Sequence, residues 1–167
     1  MTTRFIVIQP APATAAEEIA DELAEALAAR GDMRRISAMD GVSVEDLSRD
    51  PAAALDGLSR RIRELEAGAV LIDQVEELPV STFDVLGWNL DVAASTGARV
   101  LLALDAEGIP PELVAQDILV AGARAAAHGT AITAALVRGA ALSRIDAGGV
   151  PVLACPPAPA ELSPLLS

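Results

Sequence analysis

Residues 5–31 read FIVIQPAPATAAEEIADELAEALAARG, and the order of apolar and polar positions in this stretch indicates the fold class. Residues 5–8 form an unbroken apolar run, which is typical of a strand that is buried on both faces. Over residues 15–30 the large apolar side chains instead recur at helical spacing, at Ile19, Leu23 and Leu27. A buried strand followed directly by an amphipathic helix is the first half of a β-α-β unit, so it predicts a parallel sheet.

Both ends of this first helix are marked in the sequence. Thr14 is followed three residues later by Glu17, which is the spacing of a capping box, and Gly31 stands where a glycine commonly ends a helix. Glu17 and Glu18 occupy the first turn, where the helix dipole stabilises a carboxylate by roughly 0.3–1 kcal/mol. We therefore predict an ordinary capped helix, whose start repels an anion rather than binding one.

The same alternation of apolar runs and helical segments continues along the chain. Strands are predicted over residues 5–8, 34–39, 69–72, 99–104, 131–137 and 150–154. Helices are predicted over residues 15–30, 51–66 and 111–127, and over a segment that Ser81 or Thr82 caps and that reaches Thr96; residues 40–50 and 74–80 are predicted to be irregular. Alternating strands and helices predict an α/β fold, with a doubly wound, mostly parallel sheet and helices on both of its faces.

The length and composition fit one domain. The chain has 167 residues, of which 52% are hydrophobic but only 2% aromatic, so the core must consist of aliphatic side chains. A domain of this size buries roughly 70% of the surface that its unfolded chain exposes. We predict an α/β domain over residues 1–155, followed over residues 156–167 by a proline-rich tail or linker.

The charged residues and the cysteine exclude several kinds of chemistry and partner. All twelve basic residues are arginine, so the sequence has no lysine for a phosphate loop, a Schiff base or a general base. The net charge of -12 and the pI of about 4.3 argue against nucleic acids and membranes as partners. One cysteine cannot form an internal disulfide, and no apolar run reaches the ~18 residues of a membrane span. We therefore expect a cytoplasmic protein.

The loop after the first strand is where a phosphate-binding protein of this architecture would hold its ligand. Such a loop wraps phosphate in backbone N–H groups, which glycines make accessible, and adds a lysine. Here the loop contains Gln9, Pro10, Pro12 and Thr14, with no glycine or lysine, and each proline removes an N–H donor. We interpret it as a degenerate phosphate loop and predict no bound cofactor.

The carboxyl ends of parallel strands meet at one edge of a sheet, so residues just after the strands are the remaining site candidates. Asp73, Arg138 and Arg144 fall there, and together they could bind a small metabolite that acts as an effector. The acidic residues of these loops are interpreted as solvated loop ends rather than a divalent-ion site; they are Asp40, Asp73, Glu76, Glu77, Asp105 and Glu107. We predict no metal, because Mg²⁺ normally relies on substrate phosphates.

Three residues that occur once each are interpreted as structural. His128 lies at the end of a predicted helix, where a cation is favoured, and the sequence reveals no partner for it. Cys155 follows the last strand and is interpreted as a buried small hydrophobic residue rather than a nucleophile, because no histidine lies near it in sequence. Trp88 lies within a predicted helix and is assigned to core or interface packing.

The order and spacing of several segments resemble the N-terminal domain of long-form phosphate acetyltransferases. These segments are residues 69–73, Phe83, Leu86, residues 89–93, Gly97-Ala98-Arg99-Val100-Leu101-Leu102, Pro110-Pro111-Glu112-Leu113-Val114, residues 135–138 and Val150-Pro151-Val152-Leu153. The resemblance covers residues 4–155 and implies a fold similar to dethiobiotin synthetase, which is a P-loop NTPase relative. It also implies a regulatory or oligomer-stabilising role, because in that family a separate domain transfers acetyl between coenzyme A and phosphate.

The sequence departs from that family at two places. The phosphate loop has lost its glycines as well as its lysine, and Arg138 stands where nucleotide-binding relatives have an asparagine suited to base recognition. We therefore predict a non-catalytic regulatory or oligomerisation domain, whose partner is a further copy of itself or a catalytic acyltransferase domain. Two alternatives stay open: a divergent nucleotide-dependent enzyme of the dethiobiotin synthetase type, and a stand-alone protein-interaction module.

Overall fold

The computed structural model describes residues 2–9, 16–78 and 83–166, and within these ranges strands and helices alternate along the chain. The strands are β1 (Thr3–Ile8), β2 (Met33–Ser37), β3 (Ala69–Asp73), β4 (Arg99–Asp105), β5 (Ile132–Arg138) and β6 (Val152–Ala154). The helices are α1 (Ala16–Ala28), α2 (Val44–Arg49), α3 (Pro51–Glu64), α4 (Val85–Thr96), α5 (Pro111–Ala127) and α6 (Pro159–Leu166), with a 3₁₀ turn at Leu142–Arg144.

The strands form a six-stranded sheet in the order β2-β3-β1-β4-β5-β6, and every neighbouring pair is parallel. This confirms the predicted α/β fold class and gives the chain a doubly wound scaffold of the P-loop type. Strand β1 lies near the centre, where Phe5 pairs with Leu71 of β3 and with Arg99 of β4. The last four residues of β1 are buried, which explains why the sequence shows an unbroken apolar run there.

The two faces of the sheet carry different helices, because the chain turns in opposite directions after β1 and after β3. Strand β2 lies two positions from β1 on one side, whereas β4 lies two positions from β3 on the other side. Right-handed crossovers therefore place α1 on one face and the helices from α2 to α5 on the other. Accordingly, Phe5 and Val7 pack with α1 and α6 in one cluster, while Ile6 and Ile8 pack with the remaining helices in a second.

Residues 40–50, which were predicted to be irregular, contain helix α2. Ser43 caps this helix: its Oγ accepts the N–H of Asp46 at 3.1 Å, and the Asp46 carboxylate accepts the N–H of Ser43 at 2.9 Å. This reciprocal capping box satisfies two donors at the helix start, and Leu47 is buried below it. The prediction was wrong because a helix of 6 residues with one buried position is too short to produce a periodic pattern.

Within residues 156–166, predicted as part of a proline-rich tail or linker, residues 159–166 form helix α6, which packs onto the face that α1 covers. Leu162 and Leu165 are buried in the cluster that contains α1. The guanidinium of Arg30 donates to the Pro159 carbonyl at 2.7 Å and to the Ser163 Oγ at 3.1 Å. Prolines suggested an irregular segment, yet Pro159 occupies the first helical position, where its fixed φ favours a helix.

The start of α4 differs from its prediction, and the residues before α1, where its cap was predicted, are not described by the structure. Asp84, rather than Ser81 or Thr82, caps α4: its Oδ1 accepts the Gly87 N–H at 3.0 Å. Residues 81 and 82, like Thr14 and the rest of residues 10–15, lie outside the described residues. The capping box predicted for α1 therefore stays a prediction.

Candidate functional site

The carboxyl edge of the sheet has a crevice between β1 and β3, because these neighbouring strands connect in opposite directions. In open parallel sheets, such a switch of direction is where ligands usually bind. Two cavities flank the crevice. The α4 cavity, of about 340 Å³, is lined by Gln9, Gln74, Val75, Glu76, Glu77, Asp84, Val85, Leu86, Asn89 and Arg124. The α1 cavity, of about 260 Å³, is lined by Val7, Ala16, Glu17, Ala20, Arg35, Asp73, Gln74 and Glu76.

Among the described residues that line each cavity, acidic side chains outnumber basic ones. The α4 cavity has three carboxylates and one guanidinium, which are Glu76, Glu77, Asp84 and Arg124. The α1 cavity has the same balance, with Glu17, Asp73, Glu76 and Arg35. This excess of negative charge repels polyphosphates and favours neutral or cationic molecules.

Gln9 is the one residue of the predicted phosphate loop that the structure describes; Pro10, Pro12 and Thr14 lie outside the described residues. The backbone N–H of Gln9 donates to the Oε1 of Gln74 at 3.1 Å. This bond identifies the oxygen of the Gln74 amide, and the Nε2 on its other side is buried without a hydrogen-bond partner among the described residues. A buried donor without an acceptor costs roughly 1–3 kcal/mol. Gln74 therefore has unused hydrogen-bonding capacity beside the crevice, which no sequence pattern revealed.

Asp73, predicted as a solvated strand-end residue, is bound by an arginine. The Nε of Arg35 lies 2.7 Å from Oδ1 and 2.8 Å from Oδ2 of Asp73, and the Nη1 of Arg35 lies 2.5 Å from Asp21 on α1. Burial lowers the pKa of Arg35, but the hydrogen bonds to Asp21 and Asp73 outweigh burial, so that its pKa is raised. Asp73 is thus part of an ion-pair cluster that joins β2, β3 and α1.

Arg138, predicted to face an effector, is bound by two acids of α1. Its Nη1 donates to Glu18 Oε2 at 2.8 Å, and its Nη2 donates to Glu22 Oε1 at 2.8 Å. The hydrogen bond to Glu18 is the main cause of the raised pKa of Arg138, burial opposes it, and Glu22 adds to it. The Arg138 side chain is only 27% exposed, so both of its hydrogen-bonded ends are used inside the chain.

The structure does not bring the three predicted effector residues together. Asp73 ends β3 and Arg138 ends β5, with β1 and β4 between them. Three strand spacings separate these two ends by roughly 14 Å. Arg144 lies farther along the chain, exposed at the end of the 3₁₀ turn, and none of the ion pairs within the described residues includes it. The three residues therefore do not form one effector site.

Helix α1 is what organises the charges at this edge. Asp21 pairs with Arg35 of β2, whereas Glu18 and Glu22 pair with Arg138 of β5. The helix thus connects strands that lie near opposite ends of the sheet order. Arg35 was not among the predicted site residues. An arginine within a strand, together with acids spaced three and four residues apart on the preceding helix, is a pattern that could have indicated this ion pair.

Cys155 also contacts this cluster. Its Sγ donates to Glu22 Oε2 at 2.9 Å, and the side chain is partly buried. Burial is the main cause of its raised pKa of about 12, and the Glu22 carboxylate adds to the increase. The thiol therefore stays protonated at neutral pH; it was expected to be buried, whereas its side chain is only partly buried.

A second polar cluster joins α5 to α4. The Nη2 of Arg124 donates to Asp84 Oδ1 at 2.5 Å, and Nδ1 of His128 lies 2.7 Å from Asp91 Oδ1. The Gly87 N–H is the main cause of the lowered pKa of Asp84, with Arg124 contributing against the effect of burial. His128 caps the end of α5, as predicted, and the structure gives it a partner that the sequence did not reveal. Asp91 lies 37 residues away in sequence, so only the packing of α5 on α4 reveals it.

Trp88 and Asn89 hold the segments next to the α4 cavity. The indole Nε1 of Trp88 donates to the Ala38 carbonyl at 2.9 Å in the core, which confirms its predicted packing role. The buried amide of Asn89 accepts the N–H of Val75 at 2.9 Å and donates to the Val75 carbonyl at 2.8 Å. Both polar side chains are thus satisfied by the backbone and have a structural role.

The described part of the chain contains no group of three or more His, Cys, Asp or Glu side chains that could hold a metal ion. Among its helices, none combines the length and apolar character needed to cross a membrane. Neither the protein-family models nor the curated proteins compared with this chain match it. The function is therefore argued from the residues themselves.

Proposed function

We propose that this chain is a non-catalytic regulatory or oligomerisation domain, similar in role to the N-terminal domain of long-form phosphate acetyltransferases. Its partner is a catalytic acyltransferase domain or a further copy of itself. We place it in the cytoplasm, because a single cysteine without a disulfide partner suits a reducing compartment. The observation that carries the proposal is that Arg138 and Asp73, the strongest ligand candidates at the sheet edge, are neutralised inside the chain.

An anionic ligand needs a cation with unused hydrogen-bond donors and little competing negative charge. Arg138 bonds two carboxylates, Glu18 and Glu22, so the three residues together carry one net negative charge. A phosphate or carboxylate that approached Arg138 would therefore meet a net negative charge. Similarly, a metal ion at Asp73 would meet the positive charge of Arg35, whose Nε bonds both carboxylate oxygens. These contacts support a scaffold that has kept its shape while its ligand chemistry was replaced by ion pairs.

The second candidate function is a divergent nucleotide-dependent enzyme of the dethiobiotin synthetase type. The crevice between β1 and β3 and the unsatisfied Nε2 of Gln74 favour it, since both lie where such sheets bind ligands. The acidic lining of both cavities opposes it, because a triphosphate would meet three carboxylates for each guanidinium. This excess of carboxylates opposes nucleotide binding more strongly than one unsatisfied amide favours it.

A thermal-shift measurement separates the two candidates. We expect millimolar Mg·ATP or Mg·GTP to leave the melting temperature of the chain unchanged. A ligand present at 100 times its dissociation constant would instead add about 2.7 kcal/mol, which raises the melting temperature of a domain of this size by roughly 5–10 °C. Such an increase with either nucleotide would refute the non-catalytic proposal and support the enzyme.

A pair of variants tests whether the acids of α1 block anion binding. The double variant E18Q/E22Q releases Arg138, so we expect phosphate to raise its melting temperature more than that of the unmodified chain. The matched control is E17Q/E25Q, which removes the same charge from the same helix but leaves both bonds of Arg138 in place. Equal phosphate effects in the two double variants would show that Glu18 and Glu22 do not block a site.

A further inference from the structure

Helix α5 exposes large apolar side chains on its outer face. Among the described residues, the exposed large hydrophobic side chains all lie in one short segment, and they are Ile109, Leu113, Leu119 and Val120. Leu113 is 51% exposed and Val120 is 61% exposed. The same helix buries Val114 and Ile118 on its inner face, so α5 has apolar residues on two sides rather than one. Helices that lie at the surface of a monomer normally have a polar outer face.

Four exposed apolar residues of α5, together with the polar Gln116, follow a heptad pattern. We call the set Leu113, Gln116, Val120, Ala123 and Ala127 the α5 stripe; its members are spaced alternately by three and four residues. This spacing is that of a helix that packs lengthwise against another helix. Leu119 lies beside the stripe, where its side chain covers the turn at Gly148. The stripe therefore has the pattern of a helix–helix interface, and no helix of the described chain covers it.

We propose that the α5 stripe is the interface of a symmetric dimer, in which α5 packs antiparallel against α5 of a second copy of this chain. The two-fold axis passes beside Val120. This inference rests on the proposed assembly function and specifies the surface and the partner that perform it.

The sizes of the side chains along the stripe favour a second copy as the occupant. The stripe is bulky near the start of the helix, with Leu113, and small near its end, with Ala123 and Ala127. In an antiparallel pair with its two-fold axis at Val120, residue 113 of each copy lies opposite residue 127 of the other. Leu113 then packs against the exposed Ala127. The stripe is thus complementary to itself in the antiparallel direction, as an isologous interface requires.

The charges beside the stripe favour the same arrangement. Asp117 and Arg124 lie seven residues apart and therefore on the same flank of α5, and both are exposed. The two-fold axis at Val120 brings Asp117 of each copy within one residue of the level of Arg124 in the other. Asp117 has no ion-pair partner among the described residues, whereas Arg124 bonds Asp84 and has donors to spare. Two symmetric ion pairs then flank the apolar contact and select the antiparallel direction.

Sedimentation equilibrium at about 0.15 M salt tests the dimer; at this ionic strength the net charge of -12 on each copy is screened beyond about 8 Å. We expect a weak, reversible dimer with a measurable dissociation constant, because one helix pair is a small interface. Val120→Glu should raise that constant at least tenfold without changing the melting temperature of dilute protein, since Val120 is already exposed. The control Ala126→Glu adds the same charge to an exposed position of α5 off the stripe and should leave the constant unchanged.

Cysteine cross-linking tests the position of the two-fold axis. Helices packed 8–10 Å apart bring facing Cα atoms to roughly 3.5–5.5 Å, which overlaps the range of a disulfide. In a Cys155→Ser background, Val120→Cys should therefore cross-link rapidly on mild oxidation, while Ala126→Cys should not. Equal cross-linking of the two variants would overturn the proposed interface.

Charge exchange tests the direction of packing. Asp117→Arg should weaken the dimer, because it brings two arginines together, and the double variant D117R/R124D should restore it. The proposed dimer would be overturned if the unmodified chain stays monomeric at submillimolar concentration. It would also be overturned if α5 binds a different protein instead of a second copy. The nucleotide measurement is independent of this outcome: a monomer that does not respond to Mg·ATP refutes the dimer alone and leaves the regulatory function standing.

Discussion

Helices α1 and α5 lie on opposite faces of the same sheet, and their outward residues behave in opposite ways. The acids of α1 reach down to arginines of the sheet: Asp21 binds Arg35, and Glu18 with Glu22 binds Arg138. Helix α5 instead exposes Leu113 and Val120 to solvent. The charged side chains of α1 therefore form ion pairs within the chain, whereas the exposed apolar side chains of α5 are available to a partner.

The difference follows from what each kind of side chain needs. A carboxylate beside an arginine gains a charge-assisted hydrogen bond within the chain and loses its capacity for other ligands. An exposed apolar side chain gains nothing until another apolar surface removes it from water. In this chain, the charged residues at the edge where related sheets bind ligands are therefore paired with one another, and the exposed apolar side chains of α5 form the candidate interface.

The largest expected difference in stability is between a substitution on the inner face of α1 and the same substitution on the outer face of α5. Leu23→Ala removes a side chain that is only 1% exposed and should cost about 2–5 kcal/mol, or roughly 5–15 °C in melting temperature. Leu113→Ala makes the same change at an exposed position and should shift stability by no more than about 0.5 kcal/mol in dilute protein. Calorimetry of both variants checks this; equal losses would mean that α5 is more deeply packed than its exposure implies.

A smaller effect is expected at the arginines of the carboxyl edge. Arg138→Ala leaves Glu18 and Glu22 without their shared partner and should lower stability by about 1–2 kcal/mol, since the cluster is only partly buried. Arg144→Ala, at an exposed arginine of the same edge, should be neutral within about 0.5 kcal/mol. Urea unfolding gives both values. A neutral Arg138→Ala would show that the α1 ion pairs do not stabilise the fold.

The smallest effect concerns the thiol that contacts α1. Removing the Glu22 carboxylate in Glu22→Gln should lower the pKa of Cys155 and raise its rate of alkylation at pH 8 by roughly tenfold, because the thiolate is the reactive form. Glu25→Gln, an exposed acid of the same helix, should leave the rate unchanged. Alkylation followed by mass spectrometry measures both rates. Equal rates in these two variants would remove Glu22 as a cause of the raised pKa.

The raised pKa of Cys155 also predicts how the stability of the fold changes at high pH. The pKa of Cys155 is raised from 9.0 to about 12 in the folded chain. A raised folded-state pKa contributes stability that is fully present below pH 9 and is lost as the pH rises towards 12. The unmodified chain should therefore lose stability over that interval, and Cys155→Ser should lose less. The loss is moderate because the side chain is only partly buried.

Much of the fold could be predicted from the sequence, because its main elements have strong local patterns. Five predicted strands agree with the observed ones to within two residues at each end, and the short β6 lies within its predicted range. Two elements were missed for opposite reasons. Helix α2 is too short to show a period, and α6 contains prolines that suggested a linker although Leu162 and Leu165 are buried.

The candidate site could be predicted much less well. Asp73 and Arg138 were placed at the correct edge, since strand ends are visible in a sequence. Their partners were not, because Arg35 and Glu18 lie 38 and 120 residues away from them along the chain. Gln74 was overlooked as well, since an unsatisfied amide becomes visible only when every neighbour of its nitrogen is known.

The sequence by itself determined which segments become buried strands and amphipathic helices, and its lack of lysine excluded whole classes of catalysis. These properties depend on neighbours within one helical turn or on composition, so they are local. The tertiary structure decided which charges neutralise each other and which apolar stripe remains uncovered. Both depend on the strand order β2-β3-β1-β4-β5-β6, which carries α1 and α5 to opposite faces and brings distant residues into contact.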